Sequence, residues 1–304
     1  MNKVDAYVFY HSADFDGYLS CALIAAYLKY NNKTFLLKSY NYGNPLDIDS
    51  LDKNAVIYAA DISFEPEIML RFKNEFKDFI WIDHHISAIS NSEQHGYADL
   101  PGLRTTDHAA CVLVWLYFKN LGFDFTEKLK FNFTCVKWIG NYDIWNHSDP
   151  NVLPFQYGLR TENLHPKSPF ALNKWRYLLT SNDSSLKQIV KKGKTILAYI
   201  DQDNIKKSFS LSYVIEFENY KCLCANYSSN SKFFDKIYDE NKHDLMLLYS
   251  FNGKGNVFNC SIYSTKENVD CSKIAQKYGG GGHFHAAGFR LTLEQANEIL
   301  FTQK

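Results

Sequence analysis

The chain has 304 residues, with 33 Lys plus Arg against 33 Asp plus Glu, so its formal charge is zero. Hydrophobic residues make up 46% and charged residues 22%, which excludes wholesale disorder. No apolar run approaches the roughly 20 residues of a membrane span. Balanced charge also weighs against a protein that coats long nucleic acid, but not against a short anionic ligand held by local charge.

The first eleven residues carry Asp5 inside their apolar stretch and no small-residue cleavage site, so no secretory leader is expected. The seven cysteines are odd in number and form no C-x-x-C pair. They point away from a disulfide framework or a thiolate zinc site. They fit core positions in a reduced, cytoplasmic protein.

Three short apolar runs open the chain, and each ends in a polar cluster. Ala6–Tyr10 leads into His11-Ser12-Ala13-Asp14-Phe15-Asp16-Gly17, Ala55–Ala60 into Asp61, and Phe79–Ile82 into Asp83-His84-His85. The runs read as buried strands. Helical patterns fall between them, over Gly17–Tyr30 and over Glu65–Phe76, which opens Glu-Pro-Glu. Alternation of strand and helix predicts a parallel sheet, and ligands of such sheets sit outside the carboxyl ends of the strands. The three clusters are therefore expected to converge.

Further on, Asp107 is expected to N-cap a helix over Ala109–Asn120 with Gly122 as its stop, and a second helix is expected over Glu127–Ile139. Residues 146–169 hold four prolines and read as a long loop. Ser185–Asn204 reads as a helix despite Gly193. Leu211–Ala225 and Leu245–Tyr263 read as strands, the latter with a hairpin turn at Asn252-Gly253-Lys254-Gly255. The chain closes with the run Gly279–Gly282 and a helical pattern over Leu293–Phe301. The fold class expected is α/β. A parallel-sheet N-terminal domain (1–184) would be joined by a helical linker (185–205) to a smaller α/β domain (206–304).

Asp83-His84-His85 is the strongest chemical signal, because two imidazoles beside a carboxylate suit a transition metal. The plainer reading is a polar turn that caps a strand. For Asp14-x-Asp16-Gly17 the plainer reading is an acidic N-cap, with Gly17 relieving the bend into the helix. A lone Asp61 after a strand is usually a turn former. Taken jointly, Asp14, Asp16, Asp61, His84 and Asp143, with His11, make a carboxylate-rich set with imidazoles. Such sets hold two divalent cations and activate water for attack on phosphorus.

These residues resemble the motifs of the DHH phosphoesterase superfamily. His11–Gly17 looks like the first motif, Asp61 the second, Asp83–His85 the third, and Asp143 in Asn141-Tyr142-Asp143-Ile144-Trp145 the fourth. Gly279–Gly282 followed by His283-Phe284-His285-Ala286-Ala287-Gly288 is similar to the glycine-rich signature of the DHH-associated domain. The resemblance implies that His11, Asp14 and Asp61 hold one metal, typically Mn²⁺, and that Asp16, Asp61, His84 and Asp143 hold a second. It implies that Asp83 orients the histidines, that His85 contacts the phosphate, and that Gly280, Gly281, Gly282 and His283 bind substrate. Arg104 is a further substrate-binding candidate, since arginine suits bidentate phosphate contacts, with a surface ion pair as the alternative.

The function expected is a 3′-to-5′ exonuclease, similar to the family's oligoribonucleases, that cuts very short oligonucleotides to mononucleotides. The alternatives are a phosphatase for 3′-phosphoadenosine 5′-phosphate, a phosphodiesterase for linear or cyclic dinucleotides, and a catalytically inactive nucleotide-binding regulator. The expected partner is a short oligonucleotide or nucleotide phosphate, with no membrane, and the chain is compatible with a homodimer.

Overall fold

A computed structural model describes residues 3–301. They form two compact units, one ending at Ile196 and the other beginning at Leu197. The fold is mixed α/β, with a parallel sheet in the first unit and a second, mixed sheet in the other.

In the first unit, β1 (Ala6–His11), α1 (Phe15–Tyr30), β2 (Phe35–Tyr40), β3 (Val56–Ala60), α2 (Pro66–Glu75) and β4 (Asp78–Ile82) build a sheet in the order β2-β1-β3-β4. All three pairings are parallel. Side chains of β1 alternate between two cores. Val8 and Tyr10 enter the one that includes Leu23 of α1, and Tyr7 and Phe9 enter the one that includes Phe72 of α2. A strand buried on both faces must be apolar throughout, which is why β1 reads as a continuous run. β2 escaped the sequence reading because it is a half-buried edge strand interrupted by Lys38 and Ser39.

Seven helices follow: α3 (Ile86–His95), α4 (Ala110–Asn120), α5 (Phe125–Leu129), α6 (Phe133–Asp143), α7 (Val152–Leu159), α8 (Ala171–Thr180) and α9 (Asp183–Leu211). Three expectations change here. Asp107 does not cap α4: its carboxylate accepts from Thr105 Oγ1 (2.9 Å), and Ala109 holds the cap position. The helix expected over Glu127–Ile139 is two helices. Lys130, at φ 59°, ends α5, and Asn132 starts α6 by accepting from the Thr134 N–H. The expected loop at 146–169 contains α7, because Pro154 lies in its first turn, where a missing N–H costs nothing. Gly193 is tolerated in α9 for a packing reason. A Cβ there would lie 1.7 Å from the Pro154 carbonyl oxygen, so only glycine lets α9 meet α7 backbone to backbone.

The second unit holds β5 (Ser212–Phe217), β6 (Tyr220–Asn226), β7 (Leu245–Asn252), β8 (Val257–Tyr263), α10 (Cys271–Gln276), β9 (Gly281–Gly282), β10 (Ala286–Thr292) and α11 (Leu293–Ala296). Its sheet runs β5-β6-β7-β8-β10-β9, antiparallel except for β6 against β7. Cys222 and Cys224 enter one core and Leu223 and Ala225 the other. All seven cysteines of the chain are free and buried. No helix among the described residues is long and apolar enough to cross a membrane.

Candidate metal centre

The carboxyl ends of β1, β3 and β4 bring the three polar clusters together, and the C-terminal end of α6 adds Asp143. His11 Nδ1 lies 3.2 Å from Asp14 Oδ2 and 3.5 Å from Asp61 Oδ2. His84 Nε2 lies 3.5 Å from Asp16 Oδ2, 3.3 Å from Asp61 Oδ1 and 3.2 Å from Asp143 Oδ2. Asp61 therefore turns one oxygen to each histidine. His11, Asp14 and Asp61 form one group able to hold a metal ion, and Asp16, Asp61 and His84 form another.

Each carboxylate is fixed by its own local structure. Asp14 does two things at once. Its Oδ1 caps α1 by accepting from the Gly17 N–H (3.0 Å), while Oδ2 faces His11. Gly17 is needed for closeness rather than for a special φ, since a Cβ there would lie 2.1 Å from the His11 carbonyl oxygen. Asp16 is buried and accepts from the Ala110 and Cys111 N–H groups (2.8 and 2.7 Å), so its carboxylate supplies the N-terminal cap that α4 lacks from its own sequence. Asp61 sits at φ 60°, a left-handed conformation that Asp tolerates better than most side chains. Asp83 Oδ1 accepts from the His84 and His85 N–H groups and lies 2.7 Å from His85 Nδ1, which fixes the orientation of that ring.

The electrostatics are those of buried acids short of positive charge. Burial pushes Asp143 up to about 7, against the opposing pull of His84. Burial, reinforced by Asp61 and Asp143, holds Asp16 well above the usual carboxylate range. Burial alone would depress both imidazoles. The nearby carboxylates of Asp14 and Asp61 instead push His11 up to about 11, and Asp61, Asp143 and Asp16 push His84 up to about 10. Burial acts upward on Asp61 too, but the imidazoles of His11 and His84 beside it hold it below the usual carboxylate range.

The donor set fits a divalent cation. Carboxylate oxygens and imidazole nitrogens suit Mn, Fe or Zn. His11 Nδ1, Asp61 Oδ2 and Asp143 Oδ2 are buried and carry no hydrogen bond. Buried polar atoms without a hydrogen bond are costly, and a cation shared among them removes that cost.

Two sequence candidates have other duties in the structure. Arg104 is not a free anion ligand. Its guanidinium donates to the carbonyls of Trp81, Ala98 and Leu100 (2.8, 3.0 and 2.7 Å) and lies over the Trp81 ring, locking the segment beyond α3. The Gly279–Gly282 run is not a loose loop. Gly281 and Gly282 pair with Gly288 and Ala287 in β10, and the His283 N–H closes the turn onto the Ala286 carbonyl (2.7 Å). A Cβ on Gly280 would lie 2.1 Å from the Gly288 carbonyl oxygen, whereas Gly281 faces open space.

Sequence reasoning missed Tyr42, just beyond β2 at the same sheet edge. Its ring lies 6.0 Å from that of His11 and 6.5 Å from that of His85, and its hydroxyl is 3.5 Å from Ser63 Oγ. Recognising β2 would have placed it.

The DHHA1 domain model matches residues 225–302. An uncharacterized protein of Acanthamoeba polyphaga mimivirus is 25% identical over 313 residues, covering 94% of this chain and 67% of that protein. Three solved structures share the fold, each at 14% identity. The DHH domain of a ribosomal-protein family member has a TM-score of 0.60 and covers 98% of this chain and 85% of that one. An exopolyphosphatase-related protein from Bacteroides fragilis has a TM-score of 0.55, with coverage of 97% and 90%. A pGpG-specific phosphodiesterase from Vibrio cholerae has a TM-score of 0.52, with coverage of 96% and 95%.

Proposed function

We propose that this chain, a DHH-superfamily protein with a C-terminal DHHA1 domain, is a divalent-metal-dependent phosphoesterase acting on short oligonucleotides, which it cuts to mononucleotides. The observation that carries the proposal is Asp61, whose two oxygens face two separate donor groups, as a carboxylate bridging two cations must. His11 and Asp14 would complete one site. Asp16, His84 and Asp143 would complete the other. Two cations there, Mn²⁺ being the ion we assign, would activate water and neutralise charge on the phosphoryl oxygens.

The protein's own groups do the positioning. Asp83 holds the His85 ring through Nδ1, so that Nε2 is presented to a phosphate oxygen. Asp16, anchored on α4, keeps its carboxylate from swinging when substrate binds. The run Gly280–Gly282 with His283 is assigned to substrate binding, with open space at Gly281 for close approach.

A short substrate is favoured by zero net charge, since binding a long polymer depends on many basic contacts. The fold is shared with a phosphodiesterase whose substrate is the dinucleotide pGpG, which supports the same size class. The test is a panel of labelled oligonucleotides of increasing length, linear and cyclic dinucleotides and 3′-phosphoadenosine 5′-phosphate, with Mn²⁺ and products identified by mass. Mononucleotide release from the shortest oligonucleotides is expected. Tight nucleotide binding without hydrolysis of any substrate would instead indicate a regulator.

A further inference from the structure

The end of α6 carries a feature that metal binding does not explain. The Trp145 N–H donates to the Tyr142 carbonyl (3.1 Å) and the Asn146 N–H to the Asn141 carbonyl (2.8 Å). This paired closure leaves Trp145 at φ 62° in the left-handed position where glycine normally ends a helix. An indole there is strained, and nothing in the closure requires it. Backbone strain of this kind is a reason to look for a function.

The strained residue holds an exposed ring. Trp145 is 38% exposed, whereas the other four tryptophans are at most 5% exposed. The His147 ring stacks on Tyr142 at 28° and on Trp145 at 19°, making three roughly parallel rings. The stack is held in place. Asn146 Oδ1 accepts from the Ser148 N–H and hydroxyl, and Asp149 Oδ2 accepts from Trp138 Nε1 (2.7 Å). Arg160 donates to the Tyr142 hydroxyl (3.3 Å) while lying over the Tyr157 ring. Asp143, beside Tyr142 in the chain, belongs to the candidate metal centre.

We propose that Tyr142, His147 and Trp145 form a stacking platform for the nucleobase of a nucleotide whose phosphate lies at the metal centre. The proposal rests on the phosphoesterase reading for the position of that phosphate. A stack of roughly parallel rings at the helix end that carries Asp143 suits a planar ring on a phosphate-bearing ligand. It offers little to inorganic polyphosphate or a sugar phosphate. Stacking tolerates any base, so the platform would select for a nucleotide without selecting its sequence.

Tryptophan fluorescence of the full chain with Mg²⁺ tests this, using AMP and ribose 5-phosphate as probes. AMP is expected to quench the red-edge emission that comes from the exposed Trp145, and ribose 5-phosphate is not. In titration calorimetry, which needs no indole reporter, Trp145→Gly should bind AMP about 5–100-fold more weakly with ribose 5-phosphate affinity unchanged. Its melting temperature should not fall, because glycine relieves the left-handed strain. Trp145→Phe should keep most of the AMP affinity. Equal binding of the two probes by the wild type, or unchanged AMP affinity in Trp145→Gly, would overturn the platform. So would a lower melting temperature accompanied by equal loss of both probes. If no phosphoester is hydrolysed but the AMP quench persists, the platform stands and the phosphoesterase reading fails. Hydrolysis with no AMP quench has the opposite meaning.

Discussion

Asp143→Asn is expected to stabilise the metal-free protein. The carboxylate of Asp143 is one-fifth exposed and lies 3.2 Å from His84 Nε2, yet burial still raises its pKa from the ordinary 3.8 to about 7. A folded-state value above the unfolded one means that folding takes up a proton. The group therefore costs nothing below about pH 4, the cost grows as the pH rises to about 7, and it is constant above that. A rise of about three pH units corresponds to about 4 kcal/mol. Partial exposure trims this to about 2–4 kcal/mol. Asparagine keeps the shape and removes the charge. In urea denaturation with a chelator at pH 8, Asp143→Asn should be more stable than the wild type by about that amount. At pH 5 the gap should shrink to less than half. Added Mn²⁺ should reverse the order, because the wild type gains more from the cation. An Asp143→Asn protein no more stable than the wild type in chelator, or one that gains as much from Mn²⁺, would refute the reasoning.

Metal binding should also expel protons. At pH 8 the metal-free protein carries charge on His11 and His84, whose values lie at about 11 and about 10, and a metal needs both imidazoles neutral. Titration calorimetry in two buffers of different protonation enthalpy should report about two protons released per chain, with affinity rising with pH. Release of none would contradict the ligand set. Gly193→Ala should cost about 1–3 kcal/mol, because a Cβ 1.7 Å from the Pro154 oxygen forces α9 off α7. An unchanged urea midpoint would show that the helices can part freely. Asp83→Asn should keep the fold and lower turnover about 10–100-fold by releasing the His85 ring. Steady-state kinetics would decide it, and an unaltered kcat would remove Asp83 from the account.

The sheet of the first unit was legible because β1, β3 and β4 are buried, and burial writes continuous apolar runs into the sequence. The placement of polar residues at the carboxyl ends followed directly. Edge strand β2 was illegible because only Tyr40 of its residues is buried, so it writes no continuous apolar run, and with it went Tyr42. Asp16 shows a subtler limit. Its spacing identified an acidic residue at a helix start, but the helix it caps is α4, more than ninety positions away in the chain. No local pattern records such a contact. Arg104 was misread for a related reason. A guanidinium can serve three backbone carbonyls as readily as a phosphate, and only the fold shows which surrounds it. The Gly279–Gly282 run was seen as chemistry or as looseness, while strand packing against β10 explains Gly280 and Gly282 by itself.

The central claim is that Asp61 joins two cation sites into one hydrolytic centre. The most direct measurement is Mn²⁺-dependent release of mononucleotide from a dinucleotide by the wild type and by Asp61→Asn, since asparagine tolerates the left-handed conformation that Asp61 adopts. With both proteins shown to melt alike, wild-type turnover should be lost in the variant to below about 1%. Asp61→Asn working at the wild-type rate would contradict the account.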